Sequence, residues 1–472
     1  MASYQIDFRN GENMDGAATY GLIMRYTGTS VYSQAQIGWD YYMGDNTSIK
    51  EVRRMYWKDR RDDDTGKVIG GQFVENPYVS NNKIGYGFFT DMVTQKVDTL
   101  FRETPTVNGI ELTPKFLKRF GYVLRNGAER ASAQGISYIY VDGSDNLNVF
   151  TADRAIPFYD DETGVLKAFI RWWTIQGMML NDVPCMFWEV YTEDGVRTYS
   201  NRPSVREVKP LTAYKFKVKQ SAFSQEIENE KSKIPIVEFW NNEYRISDLT
   251  PNIRAKIDII DLVQSGFANN IQDFSDAYWV IKDTMGLGET YYQDFLANIN
   301  RTKKIIGEGA EMKQFQIPTE ARSKFVDMMK DDLIRDGGVV DTKALTNGNL
   351  TATAIKAARA NLETRVSKFE WQAYKTASEV IDLYLAKNGI SADFDITFNT
   401  YKVDNVTETV QNALSLRGTI SESSYLRMLQ GVGIIDNVDD EILKMQEEND
   451  SKYGVGNKGI VDDDGETGAQ QE

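Results

Sequence analysis

Apolar residues recur at helical spacing along much of this chain, while alternating spacing is confined mostly to its first half. Phe88, Met92, Val93, Val97, Leu100 and Phe101 fall on one helical face, and Pro105 stops the run. A second helix is expected over 113–134, with Thr113 as its cap and Pro114 in its first turn. Strand-like runs follow at 136–141, 147–150, 166–173, 184–191, 196–199 and 213–218, separated by turn signals such as VDGSDN, DDETG and TEDG. Residues 85–245 therefore read as an α+β domain with an antiparallel sheet. Its aromatics Trp172, Trp173, Phe187 and Trp188 could line a sugar or base platform, but packing in a strand core is the commoner reason for such a cluster. Ahead of this domain, residues 1–28 read as a flexible arm and 30–43 as a short helix ended by Gly44. The polar stretch 60–71 reads as a hairpin tip.

The character changes after residue 245. Thr250 and Pro251 open a helix whose apolar residues, from Ile253 through Ile260 and Phe267 to Phe274, lie three or four apart. A compact insert of strands (278–283, KKIIG, EMKQFQ) and one helix (289–301) follows. Thr319 then caps a helix with Ala321, Phe325, Met328 and Leu333 on one face, which stops at Gly337-Gly338. The loop 337–350 leads into the longest helix, 351–387, whose stripe from Ile355 to Tyr384 contains neither Pro nor Gly. Such a helix runs about 55 Å at 1.5 Å per residue, and a helix that long requires extended packing partners. A strand-like DFDITFNTY and two short helices, the second capped by Ser421, complete the periodic part.

Composition narrows the chemistry. Among 472 residues there is no histidine and one cysteine, Cys185, set among large apolar residues. Imidazole-based catalysis, histidine-ligated zinc and an internal disulfide are thereby excluded. No P-loop occurs, which argues against nucleotide hydrolysis. The three aspartates 62–64 lack the glutamate an EF-hand needs. Acidic pairs such as Asp160-Asp161, Asp331-Asp332 and Asp439-Asp440 leave a carboxylate-based glycoside hydrolase as a formal alternative, although all adjoin turns or polar helix faces. No apolar run approaches the ~20 residues of a membrane helix, and no cofactor motif is present. The net charge is −15, of which −9 lies in residues 436–472; the stretch 343–387 holds seven basic residues against four acidic ones. A net anion with a locally basic helix suits a surface that DNA passes without being read.

The order of elements resembles the portal proteins of tailed double-stranded-DNA bacteriophages, specifically the siphophage-type portal family. The resemblance is carried by WDYYMGDN, by NNKIGYGFFTDMVTQKVDTLFRETPTV and by IPIVEFWNNEYRISDLTPNIRAKIDIIDLVQSGFANNIQDFSDA, with its Asp, Ser and Asn-Asn at matching spacing. LTATAIKAARANLETRV completes it, with Thr351 and Ala352 where the family usually has Ser-Gly. It covers residues 30–450 and implies a portal-type multidomain α+β fold. The divisions would be an N-terminal arm (1–29), a wing (30–247), stem helices (248–275 and 318–336) around a clip (276–317), a tunnel loop (337–350), a long helix returning to the wing (351–404), a crown (405–450) and a disordered acidic tail (451–472).

The resemblance also implies a ring of twelve copies at one capsid vertex of the virion, made in the host cytoplasm. Double-stranded DNA would pass through it without sequence specificity. The terminase large subunit, head–tail connector or adaptor proteins, and the major capsid and scaffolding proteins would be its partners. Membrane, cofactor and enzymatic activity are not implied. The DNA-facing residues would be Val339, Val340, Asp341, Thr342, Lys343, Ala344, Leu345, Thr346 and Asn347, with Lys343, Arg335 and Lys356 as channel cations. Contacts of the clip with neighbouring subunits and with partner proteins would fall on Tyr278, Trp279, Ile281, Tyr291, Tyr292, Lys303, Ile305, Met312 and Phe315. Another virion structural protein, a minor capsid or adaptor protein, is the alternative, although adaptors are generally much shorter.

Physical reasoning supports this reading. A small insert between two helices cannot bury a core alone, and its open strand edges call for another chain. A closed ring supplies that chain through a head-to-tail interface. A duplex with one charge per ~1.7 Å would be held fast by many phosphate contacts, so sparse cations suit a conduit.

Overall fold

The structure is a computed structural model. It describes residues 15–61, 65, 67–77, 79–141, 147–160, 162–180, 183–202, 204–212, 214, 233–273, 278–280, 311–313, 319–341, 352–398, 406–431, 434, 435 and 437–453. The chain forms two compact units, one of residues 1–346 with 358–401, the other of 347–357 with 402–472. Helix and strand are mixed, as an α+β reading requires.

The first correction comes at the start. Residues 16–27, read from sequence as part of an arm, form helix α1 (Gly16–Thr27), whose first turn is capped by the Asp15 carboxylate accepting from the Ala18 N–H at 2.7 Å. Its apolar pattern is short and weak, but Ile23 and Tyr26 are buried and Thr19 accepts from the Trp188 indole N–H at 2.8 Å. Tertiary contact, rather than periodicity, decides this helix. α2 (Ser30–Tyr42) ends before Gly44, whose φ of +74° is the left-handed stop expected there. After the short α3 (Thr47–Glu51), strands β1 (Met55–Arg61) and β2 (Val68–Glu75) pair antiparallel, flanking the expected hairpin tip; positions 62–64 and 66 of that tip lie outside the described residues.

α4 (Phe88–Leu100), β3 (Thr106–Asn108) and α5 (Pro114–Gln134) follow, with the Thr113 hydroxyl accepting from the Phe116 N–H as expected. Two antiparallel sheets come next. β4 (Ile136–Val141), β5 (Leu147–Thr151) and β11 (Ile236–Trp240) make a three-stranded sheet in the order β11-β4-β5. β6 (Ala155–Tyr159), β7 (Leu166–Leu180), β8 (Val183–Thr192), β9 (Gly195–Ser200) and β10 (Arg206–Thr212) make a five-stranded meander. The sequence reading had no strand at 155–159, and the strand it expected at 213–218 falls largely outside the described residues.

Strand alternation sorts the sheet's side chains onto two faces. Ala168, Ile170 and Trp172 of β7 join Met186, Trp188 and Val190 of β8 against Ile23 and Tyr26 of α1. Phe169 and Tyr191 point the other way and pack on Tyr138 and Phe150 of the three-stranded sheet. Trp172 and Trp188 are therefore core, while Trp173 stacks on Phe187 across the strands at 5.9 Å. Cys185 is buried.

α6 (Pro251–Asp273) and α7 (Thr319–Gly337) pack on each other, and short strands β12 (Tyr278–Val280) and β13 (Glu311–Lys313) pair between them in sequence. α8 (Ala352–Asn388) is the 37-residue helix expected from its stripe. Leu362, Val366, Phe369, Ala373, Ala377, Val380 and Tyr384 are buried in the principal core, with α4, α5 and the start of α6. β14 (Asp395–Thr397) returns to pair with β3. The second unit holds α9 (Val406–Leu416), α10 (Glu422–Gly431) and α11 (Val438–Tyr453), closed by Ala413, Tyr425, Leu426, Leu429 and Val438. The Ser421 hydroxyl accepts from the Ser424 N–H, as its capping role requires. Helix α11 extends three residues into the range read as tail; residues 454–472 lie outside the described residues.

Candidate functional site

At the junction between the paired helices and the body, charge is buried. Lys96 of α4 is only 3% exposed, and its ammonium donates to Asp248 Oδ2 at 2.7 Å and to Asn241 Oδ1 at 2.6 Å. It also sits 4.0 Å above the Phe369 ring of α8. Arg365, one turn before Phe369, donates to the same carboxylate oxygen at 3.3 Å, and Asn241 Nδ2 donates to Asp248 Oδ1 at 3.0 Å. Burial pushes the Asp248 carboxyl up, but the Lys96 and Arg365 charges, with hydrogen bonds from Asn241 and Lys96, outweigh it and hold it below its usual range. The turn bearing Asp248 is itself docked on the end of α5. The Asp248 N–H donates to Ser132 O at 2.9 Å, the Ser247 hydroxyl to Ala133 O at 2.6 Å and the Asn241 N–H to Gly135 O at 3.0 Å. Carbonyls that a helix end leaves without partners are satisfied by this turn.

The same cluster fixes the start of the 337–350 loop. Arg365 donates to the Gly337 carbonyl. A Cβ on Gly337 would stand 2.8 Å from Phe88 Cζ, so α7 ends in close contact with α4. Gly338 has φ +57°; its N–H donates to Arg335 O and the Val339 N–H to Ile334 O, a left-handed helix stop. Val339 is buried in the core, and Val340 is held on both backbone groups by the Gln95 side chain of α4.

Of the sequence-predicted loop residues, Val339, Val340 and Asp341 are thus at this junction, while Thr342, Lys343, Ala344, Leu345, Thr346 and Asn347 lie outside the described residues. Arg335 is exposed but engaged by Asp332 at 2.5 Å and Asp336 at 3.8 Å on its own helix. Lys356 lies in the first turns of α8; nothing further of it is described. Tyr278 and Trp279 lie on β12 and Met312 on β13, where Trp279 is the register partner of Met312. Ile281, Tyr291, Tyr292, Lys303, Ile305 and Phe315 lie outside the described residues. Gln95, Lys96, Asp248 and Arg365 lie within the stretches that carry the resemblance, but sequence assigned none of them a role. The available signal was a lysine inside the apolar stripe of α4 and an aspartate just ahead of the Thr-Pro helix start.

A polar stripe runs along α6 and is buried. Asp261, Ser265 and Asn269 accept the backbone N–H groups of Tyr86 (2.6 Å), Ile84 (2.9 Å) and Asn82 (2.5 Å) in turn. Alternate residues of extended chain lie about 6.6 Å apart, close to the about 6 Å that separates helical residues four apart. One strap of backbone therefore meets one turn of helix at each step. Asn82 Nδ2 continues the series to Gln272 Oε1 at 2.6 Å. One turn earlier, Asp258 receives the hydroxyls of Tyr41 and Ser48. The Asn-rich stretch and the Asp, Ser and Asn of α6, two separate landmarks in the sequence, are the two halves of this contact.

Asp261 is raised to about 6, chiefly by burial and also by the Asp258 charge, against hydrogen bonds from Asn46 and the Tyr86 N–H. Neither assembly holds a metal-like constellation: among the described residues no group of three or more acidic or thiol side chains is gathered to hold an ion.

Asp248→Ala should cost about 3–5 kcal/mol, since it leaves Lys96 buried without its counter-charge. Adding Lys96→Met should recover part of that loss in thermal denaturation; strictly additive losses would show that the two are not coupled. Asp261 gives a pH signature. With its folded pKa near 6 and an unfolded value of about 4, the folded state holds the proton between those limits while the unfolded chain has released it. Its contribution to stability is full below pH of about 4 and is lost as pH rises through about 6, at about 1.4 kcal/mol per unit. Urea denaturation of wild type and Asp261→Asn from pH 4 to 7 should show that difference in slope, and parallel curves would refute it.

The family model described as "Phage portal protein, SPP1 Gp6-like" matches residues 26–453. The chain is similar to the portal protein of Bacillus phage SPP1, 23% identical over 457 residues, covering 90% of this chain and 85% of that one. It is also similar to the portal protein of Clostridium phage phiCD119 (strain Clostridium difficile/United States/Govind/2006), 26% identical over 195 residues, 40% of this chain and 42% of that one. A match spanning nearly the whole described chain, through both the strap and the charged junction, leads to one conclusion: the chain belongs to the SPP1 Gp6-like phage portal protein family.

Proposed function

We propose that copies of this chain close into a ring, of twelve subunits by the family resemblance, around a channel that conducts double-stranded DNA during genome packaging and ejection. The ring sits at one vertex of the capsid. It is a structural protein of the virion, without catalytic activity of its own, and serves as the docking platform for the terminase large subunit and the head–tail connector proteins. The α6–α7 pair is the stem, residues 276–317 the clip, 337–350 the DNA-facing tunnel loop, 405–450 the crown, and the α+β body the wing.

One observation carries the reading: the stem pair keeps an apolar face in solvent. On α6, Leu262 is 54% and Ile271 60% exposed, and on α7 Met328 is 50% exposed, with Phe267 and Phe325 also exposed. The inward side of α6 is meanwhile satisfied by Ile253, Ile257 and Ile260 in the core and by the buried polar stripe. A helix pair apolar on its outer side is incomplete as a monomer and is completed by identical neighbours. Among the described residues β12 and β13 pair only with each other, and the edges of such a ladder are where a neighbouring copy can add a strand. The net charge of −15 keeps phosphate from adhering, and Arg335, already bound by Asp332 and Asp336, adds little attraction.

The double substitution Leu262→Asp and Ile271→Asp should abolish annular particles in negative-stain images and lower the mass in light scattering to that of a monomer, with helical circular dichroism retained. Intact rings would remove the stem assignment. Deleting residues 342–348, by contrast, should leave rings assembled and impair packaging or retention of DNA. Loss of assembly in that deletion would show that the loop is an interface rather than a channel lining.

A further inference from the structure

The loop taken as DNA-facing leaves the body at Val340, whose side chain packs against the core and whose two backbone groups are both bonded by one side chain. The Val340 N–H donates to Gln95 Oε1 at 2.9 Å, and Gln95 Nε2 donates back to the Val340 carbonyl at 3.3 Å. Backbone polarity dictates how the amide is turned: the oxygen must meet the N–H and the nitrogen the carbonyl. The pair mimics one rung of a β-ladder between a helix side chain and a loop. Upstream of it the chain is fixed by other means, with Gly337 O on Arg365, Gly338 and Val339 in the helix stop, and the Val339 side chain in the core.

Gln95 neighbours Lys96 on α4. One helical turn therefore registers the loop through Gln95 and, through Lys96 and Asp248, both the start of α6 and the Arg365 face of α8. We infer that Gln95 is the positioning residue of the tunnel loop, the side chain that sets the direction in which the chain leaves the body toward passing DNA. This rests on the loop assignment proposed above.

Energy argues for position over stability. Val340 is only half buried, and water can replace a hydrogen bond at such a site at little net cost. A pair of bonds that adds little to folding but fixes a direction matters where the direction matters. The shape of the latch explains why glutamine is suited to it: glutamate keeps the acceptor and loses the donor, and methionine keeps the length and loses both.

The test uses assembled full-length rings of wild type, Gln95→Met and Gln95→Glu. Hydrogen–deuterium exchange, resolved by peptide fragmentation over residues 337–341, should be about tenfold faster at the Val340 amide in Gln95→Met. In Gln95→Glu, which keeps the acceptor, it should be intermediate. The Gly338 and Val339 amides, bonded to Arg335 O and Ile334 O, serve as internal controls and should not change, nor should Tm move appreciably. DNA packaging or retention by the Gln95→Met ring should fall several-fold.

Unchanged exchange at Val340 overturns the inference, as does equal acceleration at all three amides, which is fraying of the helix end rather than loss of a latch. Selective acceleration with unaltered DNA handling also overturns the positioning role. The 342–348 deletion then separates the two readings: if it impairs DNA handling, the loop assignment stands without Gln95, and if it does not, the loop assignment fails as well.

Discussion

The constraint on which the body of this protein depends is the need to neutralise a lysine that has been taken out of water. Lys96 sits in the apolar stripe of α4, where an unpaired ammonium would cost several kcal/mol. Its counter-charge, Asp248, is delivered by a turn docked on the carbonyl end of α5, and Arg365 of α8 shares that carboxylate. Three segments far apart in sequence must therefore arrive together or leave a buried charge uncompensated. Apolar packing would tolerate small slides between helices α4 and α8. A shared carboxylate with hydrogen bonds of fixed length does not.

The strap along α6 solves a related problem by different means. Among the described residues, 82–86 pair with no strand, and their alternate N–H groups find their acceptors in the buried Asp261, Ser265 and Asn269 of α6. α6 supplies one acceptor per turn, so the segment leading into α4 is held alongside α6 and runs antiparallel to it. Motion of α6 would have to carry this strap, and with it the start of α4. Since α4 also bears Gln95 and Lys96, the helix pair and the loop base are mechanically joined through one short helix. For a protein read as a conduit, that links the parts proposed to meet motor and DNA through a common element, α4.

The surfaces left uncovered complete the picture. A monomer with large apolar side chains exposed along both α6 and α7 has its interior needs met and its exterior ones unmet. The start of α6 buries Ile253, Ile257 and Ile260 in the core, whereas farther along Ser265 and Asn269 face inward and Leu262, Phe267 and Ile271 stay exposed, the reverse of an ordinary surface helix. In the ring proposed above, each subunit's exposed stripe would become shared core between neighbours.

Much of the framework was legible in the order of residues. The stripe from Leu362 to Tyr384, the Thr113 and Ser421 caps, the Gly44 stop and the alternation in β7 and β8 are local signals, set by side-chain period and backbone preference over a few residues. Family membership was equally legible, from landmarks in fixed order. α1 and β6 were not, because neither has a strong period of its own: Ile23 and Tyr26 find their place only against Trp172 and Trp188, and β6 only beside β7. The charged junction was beyond sequence reading for a deeper reason. Nothing local to Lys96, Asp248, Arg365 or Gln95 marks one as the partner of another, since a charge or amide is stabilised by whatever the fold brings within 3 Å. The chain by itself determined most of the elements and what family they compose; the tertiary structure decided α1, β6 and which polar groups meet, because burial, and not spacing, makes each of them require a partner.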